Sequence, residues 1–149
     1  MLTMDDRIYF AFFTNGKLNQ YKQAIAEIGE NNIMIKALNP SQIPSYMKIL
    51  DGGFLLRDDL ILNVVSSPTK IGEYLASGAA LICTPYSGDY KLYTEGRDNC
   101  FVVNSYSDEE IKRLIDWLWK YKRKQHPISY LLNYSFANQF KRSGIMQLL

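Results

Sequence analysis

The alternation of short apolar runs with amphipathic segments is the feature that most constrains what this chain can fold into. The apolar runs are rich in β-branched and aromatic residues, which is typical of buried strands. Between them, apolar residues recur at the spacing of a helix that buries one face. Strands that alternate with helices predict βαβ units, a parallel sheet and right-handed crossovers. The sequence therefore predicts an α/β fold with three layers, an α/β/α sandwich.

The predicted strands cover residues 7–13, 32–38, 52–57, 79–85 and 100–104. Helices are predicted over residues 18–29, 42–50, 68–77 and 107–124, with one helical turn between 87 and 99 and further helices after residue 128. Gly29 and Gly78 are stop signals for two of these helices, and Ser107 with Glu110 forms a capping-box pattern. Residues 58–67 have no clear pattern. Because ligands of such sheets bind beyond the carboxyl ends of the strands, the loops there are the candidate sites.

The composition is that of one folded domain of 149 residues, with 47% hydrophobic and 21% charged residues. A net charge of only +2 gives no reason to expect a nucleic-acid partner. Cys83 and Cys100 lie in apolar stretches, which favours buried reduced thiols over a disulfide or a metal site. The single histidine, His126, cannot supply a zinc cluster. No apolar run approaches the roughly 20 residues of a membrane span, and no signal-peptide pattern opens the sequence, so we expect a cytoplasmic protein.

Residues 66–73, SSPTKIGE, place several ligand-type side chains at the start of one predicted helix. The exposed N–H groups and the dipole of a helix start favour an anion. The hydroxyls of Ser67 and Thr69 and the ammonium of Lys70 suit a diphosphate. Glu73, one turn further on, can accept hydrogen bonds from the two vicinal hydroxyls of a ribose. The pattern predicts a nucleotide site, and ordinary surface chemistry is the alternative interpretation of the same residues.

The segment SPTKIGEYLASGAALICTP, residues 67–85, resembles the donor site of retaining glycosyltransferases of GT-B architecture, glycosyltransferase family 4. Members of that family often show a Pro-x-Lys-x-x-Glu-Tyr-Leu-Ala-x-Gly pattern followed by a buried strand, as this chain does. The neighbouring segments come in a similar order, so the resemblance spans about residues 32–118. It implies the C-terminal, donor-binding half of a GT-B fold, with a Rossmann-like parallel sheet.

The resemblance also implies an activity: the chain would bind a nucleotide-diphosphate sugar as donor substrate, without a cofactor or a metal, for transfer of the sugar to an acceptor hydroxyl. The donor contacts that the family pattern implies here are Glu73 for the ribose, Ser67, Thr69 and Lys70 for the diphosphate, Arg57 for a phosphate or the sugar, and Leu38 and Asn39 near the base. No residue is assigned as a catalytic base.

The chain departs from the family pattern in ways that bear on activity. Val65 stands where many members carry a second glutamate that holds the donor sugar, and a glycine-rich loop is reduced to TNG, residues 14–16. The chain matches only the second of the family's two domains, so we expect an N-terminal partner domain or chain, and little or no transfer by this chain alone. We also expect the basic run KYKRK, residues 120–124, to contact a membrane surface, since related enzymes often use lipid-linked acceptors.

Other functions stay open on the sequence. A non-catalytic interaction or regulatory module of the same fold fits the missing second glutamate. An unrelated small α/β enzyme would place its pocket away from Lys70 and Glu73. Asp58 and Asp59 could bind a metal, although an adjacent acidic pair in a loop is more often solvated charge. The sequence contains neither a G-x-G-x-x-G motif after its first strand nor a P-loop.

Overall fold

A computed structural model of the chain describes residues 7–94 and 97–121. The chain divides into two compact units, Met1–Ile43 and Pro44–Leu149. The helices predicted after residue 128, the single histidine His126 and most of the basic run at 120–124 lie outside the described residues.

The first unit is a βαβ arrangement. Strand β1 (Phe10–Phe13) pairs in parallel with β2 (Ile33–Lys36). The crossover holds α1 (Lys22–Ile28) between two short 3₁₀ turns, Asn19–Tyr21 and Glu30–Asn32. Gly29 ends α1 with a φ of 92°, a value that favours glycine, so the predicted stop signal is confirmed.

The second unit carries the remaining elements around a parallel sheet. Its strands are β3 (Gly52–Leu55), β4 (Ala80–Cys83) and β5 (Cys100–Val102), in that order across the sheet, and both neighbouring pairs are parallel. The elements follow α1 and β2 along the chain as α2 (Ile43–Met47, starting at the end of the first unit), β3 (Gly52–Leu55), α3 (Ile61–Val64), α4 (Thr69–Ser77), β4 (Ala80–Cys83), α5 (Tyr90–Thr94), β5 (Cys100–Val102) and α6 (Asp108–Lys120). The predicted mixed α/β fold with parallel strands is confirmed, and the described strands form two small sheets. Each strand is shorter than predicted, and α3 lies within residues 58–67, which show no clear pattern in the sequence.

Strand β4 is the centre of the core, because all four of its side chains are buried. Leu81 and Cys83 pack against Ile71 and Leu75 of α4 and against two tyrosines of α5. Ile82, which lies between them, packs on the other face of the strand. There it forms a second cluster with Val103 and with Leu114 of α6. Alternate residues of a strand point to opposite faces, so β4 is covered by α4 and α5 on one face and by α6 on the other.

Helix α6 begins as the capping pattern predicts. The Ser107 side chain accepts a hydrogen bond from the Glu110 backbone N–H at 3.3 Å. The buried Glu110 carboxylate accepts from the Asn104 backbone N–H at 3.2 Å and from the Arg113 guanidinium at 2.6 Å. Because a buried carboxylate needs partners to offset its lost hydration, these bonds fix the turn between β5 and α6.

The two cysteines are free thiols, as predicted, with Sγ atoms 3.7 Å apart. Cys83 is buried and Cys100 is half-buried. Cys83 lies opposite Val102, and Cys100 lies opposite Leu81, so the pair is two residues out of register on neighbouring strands. A disulfide needs its Cα atoms close together, which this diagonal placement disfavours. The hydrogen bond with Cys100, together with burial, raises the pKa of the Cys83 thiol far above its ordinary value.

Within residues 7–94 and 97–121, no helix combines the length and the apolar character needed to cross a membrane.

Candidate functional site

The start of α4 lies beyond the carboxyl end of β3, where the sequence predicts the nucleotide site. Pro68 precedes the helix with a φ of −70°, and no side chain caps it. The Ile71 N–H donates a hydrogen bond to the Pro68 carbonyl at 3.2 Å. The N–H groups of Thr69 and Lys70 have no acceptor among the described residues. A helix start of this kind leaves donors and a positive dipole end directed at solvent, where they can receive an anion.

Of the hydroxyl groups placed at this helix start, two are available to a ligand. Ser67 and Thr69 are both exposed. The Ser66 hydroxyl is engaged, because it donates to the Asn63 carbonyl at 2.8 Å. The predicted donor hydroxyls at positions 67 and 69 therefore stand beside the free N–H groups.

Lys70 and Glu73 contact each other directly. The Lys70 ammonium donates to the Glu73 carboxylate at 2.6 Å, and the two side chains are 48% and 40% exposed. An exposed pair one helical turn apart stabilises a protein by only about 0.3–0.5 kcal/mol. A ligand that offers a phosphate to Lys70 and hydroxyls to Glu73 can therefore separate them at little energetic cost.

Tyr74 fixes α4 against the sheet. A Cβ atom added at Gly53 would lie 2.1 Å from the Tyr74 Cε1 atom, so the ring covers β3 at a position where only glycine leaves room. The Tyr74 hydroxyl also donates a long hydrogen bond of 3.4 Å to the Phe54 carbonyl. Burial raises the pKa of this hydroxyl, and the opposing influence of Lys70 is smaller.

Arg57 is held at the carboxyl end of β3 through both its backbone and its side chain. Its N–H donates to the Thr84 hydroxyl at 2.9 Å, and that hydroxyl donates to the Arg57 carbonyl at 2.6 Å. Its guanidinium donates to the Asn63 side-chain oxygen at 3.0 Å. In the part of the chain that the structure describes, no carboxylate forms an ion pair with Arg57. No described neighbour therefore neutralises its charge.

The loop after β4 meets the start of α4. Gly88 has a φ of 63°, and a Cβ atom there would lie 1.9 Å from the Ser66 carbonyl oxygen. Buried Ser87 fastens the same loop to β3 by donating to the Leu55 carbonyl at 2.7 Å. Two loops from neighbouring parallel strands therefore come together beside Ser67, which is the usual place of a ligand site in such sheets.

Leu38 and Asn39 lie in the first unit, after β2. The Asn39 N–H donates to the Gln42 side-chain oxygen at 3.0 Å, and the Gln42 N–H donates back to the Asn39 carbonyl at 2.9 Å. These two hydrogen bonds close a local turn between Asn39 and Gln42. Their predicted place near a nucleotide base stays a prediction.

Two residues that hold this site together are not among those predicted from the sequence. Asn63 bonds to Arg57, and Gly88 lets the second loop approach Ser66. The signal for Asn63 was a lone amide in the apolar run from 60 to 65. For Gly88 the signal was a serine-glycine-aspartate turn after a buried strand.

Asp58 and Asp59 are both exposed. Among the residues that the structure describes, no three His, Cys, Asp or Glu side chains gather in a group that could hold a metal ion.

Comparisons of the chain with models of protein families, with curated proteins and with solved structures give no match. The interpretation of the site therefore depends on the residues of this chain.

Proposed function

We propose that this chain is the donor-binding half of a retaining GT-B glycosyltransferase of family 4, with a Rossmann-like three-layer α/β/α architecture. One observation carries the proposal. The segment that resembles the family's donor site coincides with an uncapped helix start, with two exposed hydroxyls, at the carboxyl edge of a parallel sheet. The full enzyme would move a sugar from a nucleoside diphosphate to an acceptor hydroxyl and would include a partner domain or chain.

In this proposal, each residue has a defined role toward the donor. The N–H groups of Thr69 and Lys70, the hydroxyls of Ser67 and Thr69, and the Lys70 ammonium bind the diphosphate. Glu73 accepts from the ribose hydroxyls. As the bond between sugar and diphosphate breaks, negative charge grows on the leaving diphosphate. Preorganised donors and the Arg57 charge stabilise that charge, which lowers the barrier.

The energetics favour ligand binding over the resting ion pair. Separating Lys70 from Glu73 costs about 0.3–0.5 kcal/mol. A hydrogen bond to a charged group contributes about 1.5–3 kcal/mol, and the diphosphate and the ribose would each supply at least one. Lys70 and Glu73 therefore pair with each other when no donor is bound, and a donor nucleotide separates them on binding.

Calorimetric titration of the chain with UDP, GDP and ADP tests this function. We expect one of them to bind, and Lys70→Ala and Glu73→Ala each to weaken that binding at least about tenfold, or ~1.4 kcal/mol. Glu109 and Lys112 supply matched controls, because they are an exposed acid and base with the same separation on α6. Their alanine variants should bind like the wild-type chain.

Two results would contradict the proposal. One is a folded wild-type chain that binds none of the three nucleotides. The other is a nucleotide whose affinity is the same in the wild-type chain and in both site variants.

A non-catalytic interaction module is the second candidate, and one surface favours it. The apolar side chains of Ile61, Leu62 and Val65 are 79%, 76% and 71% exposed. Contiguous exposed apolar residues are typical of surfaces that contact a partner. Val65 also occupies the position of the family's sugar-binding glutamate. A module of this kind would bind no nucleotide, so the same titration separates the two candidates.

A further inference from the structure

The segment from 60 to 65 folds against the usual preference of its side chains. Its aliphatic residues Leu60, Ile61, Leu62, Val64 and Val65 are all exposed, whereas its one polar residue is half-buried. If apolar burial alone set the orientation of this short helix, its aliphatic side chains would face the protein. The hydrogen bonds of that polar residue, Asn63, are therefore what fix its orientation.

Asn63 uses both ends of its side-chain amide. The oxygen accepts from the Arg57 guanidinium at 3.0 Å, and the nitrogen donates to the Asp58 carbonyl at 3.0 Å. Its backbone carbonyl accepts from the Ser66 hydroxyl at 2.8 Å. Asn63 thus connects Arg57 to the residues that lead into α4.

We propose that Asn63 is a positioning residue, which holds the Arg57 guanidinium in place for the diphosphate of the donor nucleotide. This inference rests on the function proposed above. A guanidinium has five N–H donors, and Asn63 takes one of them, so the remaining donors can meet phosphate oxygens. Because Asn63 is neutral, it fixes the side chain and leaves its positive charge for the ligand.

The chemistry of the amide explains why other side chains would not serve. An aspartate at 63 would also accept from Arg57, but its charge would compete with the diphosphate for the guanidinium. An alanine would leave the long arginine side chain free to rotate, and that freedom would be lost again on binding. The alanine change should therefore weaken binding only where Arg57 is present.

A double-mutant cycle with nucleotide affinity as the readout tests the proposal. Titrations with the nucleoside diphosphate that binds best would compare the wild-type chain with Asn63→Ala, Arg57→Ala and the double variant. We expect Asn63→Ala to lower the affinity about tenfold. In the Arg57→Ala background the same change should lower it less than about twofold, since the two residues act as one unit. The corresponding nucleoside, which has no phosphate, should bind all four chains equally.

Ser107→Ala, which removes the α6 cap, serves as the stability control. It should lower the unfolding free energy and leave the affinity unchanged. Unchanged diphosphate affinity in Asn63→Ala, or the same loss with and without Arg57, would overturn the positioning role. That outcome would leave the proposed function intact as long as Lys70→Ala and Glu73→Ala still weaken binding. A folded wild-type chain that binds no nucleoside diphosphate would overturn both.

Discussion

Replacement of Gly88 by alanine tests whether the two loops of the candidate site meet as described. The backbone of Gly88 has a φ of 63°, which a residue with a Cβ atom adopts at a cost of about 1–2 kcal/mol. The added Cβ would also lie 1.9 Å from the Ser66 carbonyl oxygen, so one of the two loops must move. Such overpacking costs about 1–3 kcal/mol. We therefore expect Gly88→Ala to lower the unfolding free energy by about 2–5 kcal/mol.

Gly72→Ala is the matched control, and its effect should have the opposite sign. Gly72 lies inside α4, and a Cβ atom there would have nothing within 4 Å. Replacing glycine by alanine inside a helix stabilises by about 0.5–1 kcal/mol. Urea unfolding followed by tryptophan fluorescence measures both variants, because the Trp117 ring packs against Phe101 in the same unit at a centroid distance of 5.5 Å. Equal stability of Gly88→Ala and the wild-type chain would refute the loop contact.

Further substitutions probe the core, the α6 cap and the contact between α4 and β3. Leu81→Ala, at a fully buried position of β4, should lower the unfolding free energy by about 2–5 kcal/mol in the same urea assay. Ser107→Ala should lower it by about 0.5–2 kcal/mol, and Ser107→Asp should restore most of that loss, because both residue types cap helices. Tyr74 has a folded-state pKa above its ordinary 10.0, so ionisation of the unfolded chain should reduce stability as the pH rises past that value. Tyr74→Phe should show a smaller decline above pH 10.0, and an identical decline in both chains would contradict the burial of this hydroxyl.

The elements that sequence reasoning located are those whose signals are local. The stop at Gly29 and the cap at Ser107 depend on neighbouring residues alone, and both are confirmed. The signal for β4 is equally local, because five apolar residues between a helix stop and a proline suit a buried central strand. Such signals need no knowledge of the rest of the fold.

Two of the features that could not be predicted from the sequence depend on contacts between distant segments, and a third, helix α3, reverses the usual burial pattern. Helix α3 was not predicted, because its apolar residues face solvent and its Asn63 faces the protein, which reverses the usual pattern. The need for glycine at 53 comes from the Tyr74 ring, 21 positions away along the chain. The division of the strands into two sheets is likewise a matter of long-range pairing, which periodicity does not encode.

The Lys70–Glu73 pair contributes little to the stability of the second unit, and this decides how binding experiments can be interpreted. Lys70 and Glu73 are about half exposed and stabilise the fold through one weak surface pair. Gly53 and Gly88 instead shape the site through close contacts with the Tyr74 ring and the Ser66 carbonyl oxygen. Substitution of the charged pair should therefore leave the unfolding free energy within about 0.5 kcal/mol of the wild-type value. If nucleotide affinity falls tenfold in such variants while stability does not change, the loss must come from contacts with the ligand. If stability falls with affinity, the pair is part of the fold and the loss of affinity does not locate the nucleotide site.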